Sequence, residues 1–241
     1  MELASSKPGA RFRAGLSHVL FRAVLYPFGK LLTTLVFRVF GPLRVEGREH
    51  VPRRGPLLVC ANHISDADPP AMFHAVPRPA WFLAKEELFG MGAIGLVVRL
   101  YRSIPVRRGA PDRRALRRAE ELLLRGECVI IFPEGECSQS GKLLPILPGA
   151  AMILRRTGAT CVCAGIVGTN QILRYGSLRP RKAYGPVTIR FGHPIAFEGE
   201  DGPPSIETIV QRIGEELASL TGQPPPDVLQ KPRGGPSLDQ R

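Results

Sequence analysis

The chain is short of acid, short of aromatics and without a long uncharged apolar run. Its 21 Asp and Glu stand against 33 Lys and Arg, a formal charge of +12 over 241 residues. Partners that carry negative charge follow from that imbalance: nucleic acid, an anionic membrane surface or phosphorylated small molecules. Aromatics are only 7% of residues, and the basic stretch from Arg102 to Arg118 has none interleaved. Base-stacking platforms are therefore not expected, and neither is a nucleic-acid partner. Arg22, Lys30 and Arg38 interrupt the apolar segment 16–40, so no run reaches the roughly 18 uncharged residues of a spanning helix. No short apolar core followed by a small-residue cleavage site marks a signal peptide. Also missing are a Gly-x-Ser-x-Gly elbow, a Walker loop and a strand-anchored Gly-x-Gly-x-x-Gly. Their absence disfavours a serine hydrolase built on Ser65 and nucleotide binding through those loops. The five cysteines, Cys60, Cys128, Cys137, Cys161 and Cys163, show no metal-ligand spacing. They read as buried free thiols in a reducing compartment. No internal repeat is present.

What is there suits a folded domain. Hydrophobic residues are 44% and charged residues 22%, enough for one sizeable core. Apolar runs predict strands at 43–46, 56–61, 80–84, 103–106, 128–132, 159–167 and 187–191. Pro105 should place the fourth of these at a sheet edge or strand end. Helical periodicity predicts helices at 69–75, 111–125, 149–156 and 206–220, with short helices within 86–100. The expected fold class is α/β: a single domain with a mixed, largely parallel sheet flanked by helices, plus an N-terminal helical annex. Residues 1–15 should be a flexible basic N-terminus and 16–41 an interfacial helical segment. Pro27 should break or kink that segment near Tyr26, leaving a helical hairpin edged with Arg and Lys against a membrane interface. Residues 42–221 should form the folded domain and 222–241 a disordered Pro- and Gly-rich tail.

One stretch concentrates chemistry, Asn62-His63-Ile64-Ser65-Asp66-Ala67-Asp68. It joins a buried strand to a helix that Pro69 and Pro70 help to start, with Asp68 suited to cap it. A His held by a carboxylate makes a general base, because the carboxylate sets the tautomer and stabilises the imidazolium. On a continuous helix Asp66 would be the better partner, since five residues put Asp68 about 140° round from His63. The prolines argue for an irregular turn, where that objection lapses. Two further strand ends carry functional side chains. Ile104-Pro105-Val106-Arg107-Arg108-Gly109 presents guanidinium groups that can grip a phosphate. Phe132-Pro133-Glu134-Gly135 sets a carboxylate at the end of a buried strand, before a glycine that frees the turn.

Taken in order, these stretches resemble the glycerolipid acyltransferase family, typified by 1-acylglycerol-3-phosphate acyltransferases. The Asn-His-x₄-Asp motif is met by Asn62, His63 and Asp68, and the Ile-x-Val-x-Arg motif by Ile104, Val106 and Arg108. The Phe-Pro-Glu-Gly motif is met by Phe132, Pro133, Glu134 and Gly135. The resemblance runs from about residue 16 to 195. It implies acyl transfer from a thioester, acyl-CoA or acyl-ACP, to a lysophospholipid hydroxyl, foremost 1-acylglycerol-3-phosphate, giving phosphatidic acid. By that resemblance His63 is the general base and Asp68 orients it. Arg108 binds the acceptor phosphate, and Asn62, Glu134 and Gly135 belong to the substrate site. No metal or bound cofactor is implied. The expected setting is the cytoplasmic face of an anionic membrane, with peripheral or monotopic attachment. Two departures fall near the acceptor end. Glu136-Cys137-Ser138 stands where the family often has Thr-Arg-Ser, and Cys163 where it usually has proline. Three other readings stay open: a different lysolipid or hydroxylated lipid as acceptor; a metal hydrolase on His63, Asp66 and Asp68; and a non-catalytic binder of anionic membranes or nucleic acid.

Overall fold

The structure, a computed structural model, describes residues 21–107, 112–177, 179–197 and 202–226. The expected N-terminal arm 1–15, Arg108 and most of the expected tail lie outside the described residues. The described part of the chain alternates strands and helices: α1 (Tyr26–Phe40), β1 (Leu43–Glu46), β2 (Leu57–Ala61), α2 (Asp68–Ala75), β3 (Trp81–Lys85), α3 (Gly92–Leu100) and β4 (Ser103–Val106). Then come α4 (Arg113–Leu124), β5 (Cys128–Ile131), α5 (Gly149–Thr157), β6 (Thr160–Val167), a single helical turn α6 (Thr169–Ile172), β7 (Val187–Phe191) and α7 (Ile206–Thr221). Among the described residues the strands form one seven-stranded sheet in the order β1-β7-β6-β2-β5-β3-β4.

Every pairing is parallel except β6 with β7. The central strands β2 and β5 are buried along their whole length, as expected of strands covered on both faces and therefore written as continuous apolar runs. Strand β4 takes the edge, where Pro105 withholds no ladder donor that a neighbour needs. One face packs α4, α5 and α7 around Leu58, Leu123, Ile153, Leu154 and Ile213. The other packs α1 and α2 around Leu57, Val59, Met72 and Ile189. Because β2 to β6 are mutually parallel, their C-terminal ends share one edge, the side on which open α/β sheets bind ligands.

The N-terminal segment differs from the expected hairpin. A π-helical turn, Phe21–Leu25, runs straight into α1, with Pro27 in the first turn of that helix. The proline lacks an N–H, and here it sits where a helix N-terminus leaves that donor unpaired anyway. Residues Ala23–Phe40 are long and apolar enough, by length and composition, to cross a membrane, although two basic residues lie in that stretch. Lys30 does not spoil the outer face because it turns inward. Its Nζ donates to the carbonyls of His74 and Val76, 2.8 and 2.6 Å away, at the C-terminal end of α2. The outward face keeps Phe28, Leu31, Leu32, Leu35 and Val39 exposed, and α3 adds exposed Ile94, Leu96 and Val97. The two helices meet where the Tyr101 ring lies against Gly29, a contact a larger residue would block.

Candidate active site

Three neighbouring strands deliver the site. His63 follows β2, Glu134 follows β5 on one side of it, and Thr169 follows β6 on the other. After β2 the chain makes an irregular turn, closed by the Asp68 N–H donating to the Ser65 carbonyl at 3.1 Å. That turn brings Asp68 back beneath His63, and Asp68 Oδ2 lies 2.8 Å from His63 Nδ1. The same oxygen accepts from the backbone N–H groups of Ile64 and Ser65, at 2.7 and 2.8 Å. The other oxygen accepts from the Thr169 hydroxyl at 2.5 Å. Four donors thus converge on a carboxylate with no solvent exposure. Burial of an unpaired charge would cost several kcal/mol, and this pairing offsets it.

Asp68 was expected to cap α2. Instead it is the first residue of that helix, Ala67 takes the cap position, and the Asp68 side chain bonds no helical N–H ahead of it. Its oxygens face backwards, to the amides of the preceding turn, and from there they meet the imidazole. Asp66, the alternative carboxylate, is exposed and accepts from the Gly176 N–H at 2.9 Å. It points away from His63, so the donor set for a metal site on His63, Asp66 and Asp68 does not assemble. No group of three His, Cys, Asp or Glu is placed to hold a metal among the described residues. Ser65 is fully buried; its hydroxyl accepts from the Ala67 N–H and reaches the carbonyl of Leu173. That leaves no nucleophile there.

With Asp68 accepting, Nδ1 of His63 carries the proton and Nε2 is free to act as a base. His63 is buried, its side chain 7% exposed, and Phe132 stacks on the ring with ring centroids 4.2 Å apart and an interplanar angle of 22°. The His63 backbone is fixed as firmly as its ring. Its N–H donates to Glu134 Oε1 at 2.8 Å, and its carbonyl accepts from the Ser138 N–H at 2.7 Å. Glu134 Oε2 accepts from the Leu144 N–H, also at 2.8 Å. The carboxylate therefore clamps two loops together beside the imidazole. Gly135 follows with a φ of +77°, and any side chain there would run into Leu147. Glycine is what this turn admits.

Burial pushes the Glu134 carboxyl up to about 7, against smaller opposing effects of its two amide bonds. The folded state then holds this proton more tightly than the unfolded chain. Stability from this group is fully present below about 4.5, the unfolded value, and is lost as pH rises through about 7. Glu134→Gln removes that slope and replaces one acceptor by a donor facing an N–H. We expect a fall of roughly 10²-fold in turnover, from displacement of the His63 backbone. Urea midpoints at pH 5 and pH 8 check the stability half: the wild type should lose more between them than the variant.

Asn62 has another role than the substrate contact expected of it. It is fully buried, its Oδ1 accepts from the Ile166 N–H at 2.6 Å, and its Nδ2 donates to the Ile166 carbonyl at 3.0 Å. An amide that reproduces a strand pairing in this way ties the end of β2 to β6, and it presents nothing to a ligand. Thr169 was missed as a site residue. The only hint was its place after a strand ending in Gly168, whose φ of +86° turns the chain towards Asp68. Lys85 ends β3 on the same sheet edge, in register with Val106, which leads into Arg107 and Arg108.

A family model described as Acyltransferase matches residues 42–167. The 1-acyl-sn-glycerol-3-phosphate acyltransferase alpha of Homo sapiens is 28% identical over 202 residues, covering 80% of this chain and 70% of that protein. The chloroplastic 1-acyl-sn-glycerol-3-phosphate acyltransferase of Arabidopsis thaliana is 29% identical over 151 residues, 61% of this chain and 42% of that protein. With the Brassica napus and Limnanthes douglasii enzymes the covered shares are 44% and 60%, so the chain spans less than two thirds of these plant relatives. Among solved structures, the 1-acyl-sn-glycerophosphate acyltransferase of Thermotoga maritima matches with a TM-score of 0.68 and 27% identity. That match covers 86% of this chain and 81% of that one.

Proposed function

The chain belongs to the glycerolipid acyltransferase family, and from that premise we propose that it transfers an acyl group from a thioester to the free hydroxyl of a lysophospholipid. The acceptor we assign is 1-acylglycerol-3-phosphate, with phosphatidic acid as product. The observation that carries this reading is the buried pair of His63 and Asp68 at 2.8 Å, on the ligand-binding edge of the sheet. In the reaction Nε2 takes the proton of the acceptor hydroxyl as its oxygen attacks the thioester carbonyl. Asp68 stabilises the imidazolium that forms, and collapse of the tetrahedral intermediate expels the thiolate, to which the proton returns. General-base help of this kind contributes about 10²–10⁴ in rate. No metal ion takes part in this scheme.

Phosphate recognition we assign to Lys85 and Arg108. Lys85 Nζ sits over the Tyr175 ring at 5.3 Å, near the strand end that leads to Arg108. Arg107 is engaged elsewhere, its Nε donating to Glu86 at 2.7 Å. Arg108→Ala should raise KM for a phosphorylated acceptor with a smaller effect on kcat, because the contact exists in ground and transition states alike. An unchanged KM removes Arg108 from the site. The exposed apolar faces of α1 and α3 support attachment to a membrane from that side of the sheet, where a lysolipid enters from the bilayer. A lyso-ornithine lipid O-acyltransferase of Pseudomonas aeruginosa is also similar, 29% identical over 175 residues. That likeness makes a phosphate-free acceptor the second reading. The test is one assay of purified protein with labelled acyl-thioesters against a panel of lysolipids with and without phosphate. Turnover confined to lysophosphatidic acid supports the first assignment, and turnover of a phosphate-free lysolipid alone replaces it.

A further inference from the structure

Helices α4 and α5 carry a cluster of exposed arginines on the face of the sheet opposite that covered by α1. Helix α4 exposes Arg113, Arg114 and Arg117. Helix α5, packed beside it, exposes Arg155 and Arg156. Two ion pairs neutralise part of this charge, Arg118 with Glu121 and Arg156 with Glu120. Arg113, Arg114 and Arg117 have no carboxylate within ion-pair distance among the described residues. Between the two helices runs a groove of about 210 Å³, lined by Arg113, Leu116, Arg117, Met152 and Arg156. Its floor is apolar and its rim is guanidinium.

We propose that this groove docks an acidic helix of the acyl donor's protein carrier, an acyl carrier protein bearing its acyl group on a phosphopantetheine thioester. The proposal rests on the acyl-transfer reading above and specifies the donor. Three observations select this partner. First, α4 and α5 cover one face of the sheet while α1 and α2 cover the other. A bilayer that meets the apolar side of α1 is therefore turned away from these arginines, which leaves them to a soluble partner. Second, the groove is smaller than the roughly 300–1,000 Å³ of small-molecule sites, and the exposed arginines of α4, Arg113, Arg114 and Arg117, follow one another along about 6 Å of the helix axis. That suits a charged helix with one apolar side chain seated on Leu116 and Met152 better than a nucleotide. Third, α4 begins just after β4 and α5 just after the Glu134 loop, so the groove opens at the edge where His63 lies. A thioester arm extended from a carrier docked there is directed to the base.

The test compares the full-length wild type with Arg113→Glu/Arg117→Glu and with the neutral Arg113→Gln/Arg117→Gln. Both positions are exposed, and an acid at the first residue of α4 suits the helix dipole, so the fold is retained. Acyl carrier protein binding is read by biosensor at two salt concentrations. Donor selectivity is read as the ratio of kcat/KM for acyl-ACP to that for acyl-CoA. The proposal expects carrier binding to weaken about tenfold or more in the Glu variant and less in the Gln variant, with stronger salt dependence in the wild type. The selectivity ratio should fall by a similar factor. It is overturned if the wild type does not bind the carrier, if both donors lose equally, or if acyl-CoA alone loses, which would assign the groove to the phosphates of CoA. It is also overturned if the variants lose binding to anionic vesicles instead. Charge-dependent carrier binding without turnover of any donor would uphold the docking surface and reject the acyl-transfer reading.

Discussion

Asp68→Asn is expected to leave the fold intact and to lower kcat for acyl transfer by about 10²–10⁴. The asymmetry of the carboxylate's partners makes this substitution informative. Oδ2 faces three donors, from His63, Ile64 and Ser65, so only the asparagine oxygen can occupy that place. Its amide then faces the Thr169 hydroxyl, which rotates from donor to acceptor. Every hydrogen bond survives in number, and the histidine tautomer is kept. What disappears is the negative charge beside the imidazole. The loss should therefore fall on the step that creates imidazolium, with little change in KM for either substrate. Circular dichroism and thermal midpoints close to the wild type, alongside the kcat loss, are the expected pair of results. Near wild-type turnover would reduce Asp68 to a structural anchor.

Much of this was legible in the chain. Continuous apolar runs marked the buried strands because parallel strands covered on both faces leave little polar surface. The proline in 103–106 marked an edge, and Asp112 marked a helix start, where its side chain accepts from the Arg114 and Ala115 N–H groups. His63 with Asp68 could be read because the prolines argued against a helix between them and the Arg108 and Glu134 motifs followed in the order the family resemblance implies. Other features arise only when distant segments meet. Thr169 lies 101 positions from Asp68, and no local pattern announces a hydroxyl that serves a carboxylate from the next strand. Asn62 was placed in the substrate site by the family resemblance alone, through its position in the Asn-His-x₄-Asp motif. Its partner Ile166, 104 positions away, turns it into a tie between strands. The inward turn of Lys30 was hidden for the same reason, since its acceptors lie at the far end of α2.

The role of Glu134 changes the view of the third motif. Read alone, a carboxylate after a buried strand suggests no more than a β-turn, and it was the family resemblance that implied a place in the acceptor site. In the structure both oxygens are taken by backbone amides, one of them from His63 itself. Its effect on catalysis then passes through the position of the base, and Gly135 matters because its turn lets the loop carry that carboxylate inward.

The account stands on His63 as the base, and His63→Ala is the variant with the largest expected effect. The alanine keeps the N–H that Glu134 holds and the carbonyl that accepts from Ser138. It removes the ring stacked on Phe132 and leaves Asp68 Oδ2 with its two backbone donors. A modest drop in thermal stability is expected from the lost contact, without loss of the fold. The decisive measurement is acyl transfer from a labelled thioester to lysophosphatidic acid by wild type and variant, each verified as folded and bound to vesicles. The mechanism predicts a loss of about 10³-fold or more in the variant, with vesicle binding unchanged. Turnover within about tenfold of the wild type in a folded, vesicle-bound variant would show that another group removes the proton.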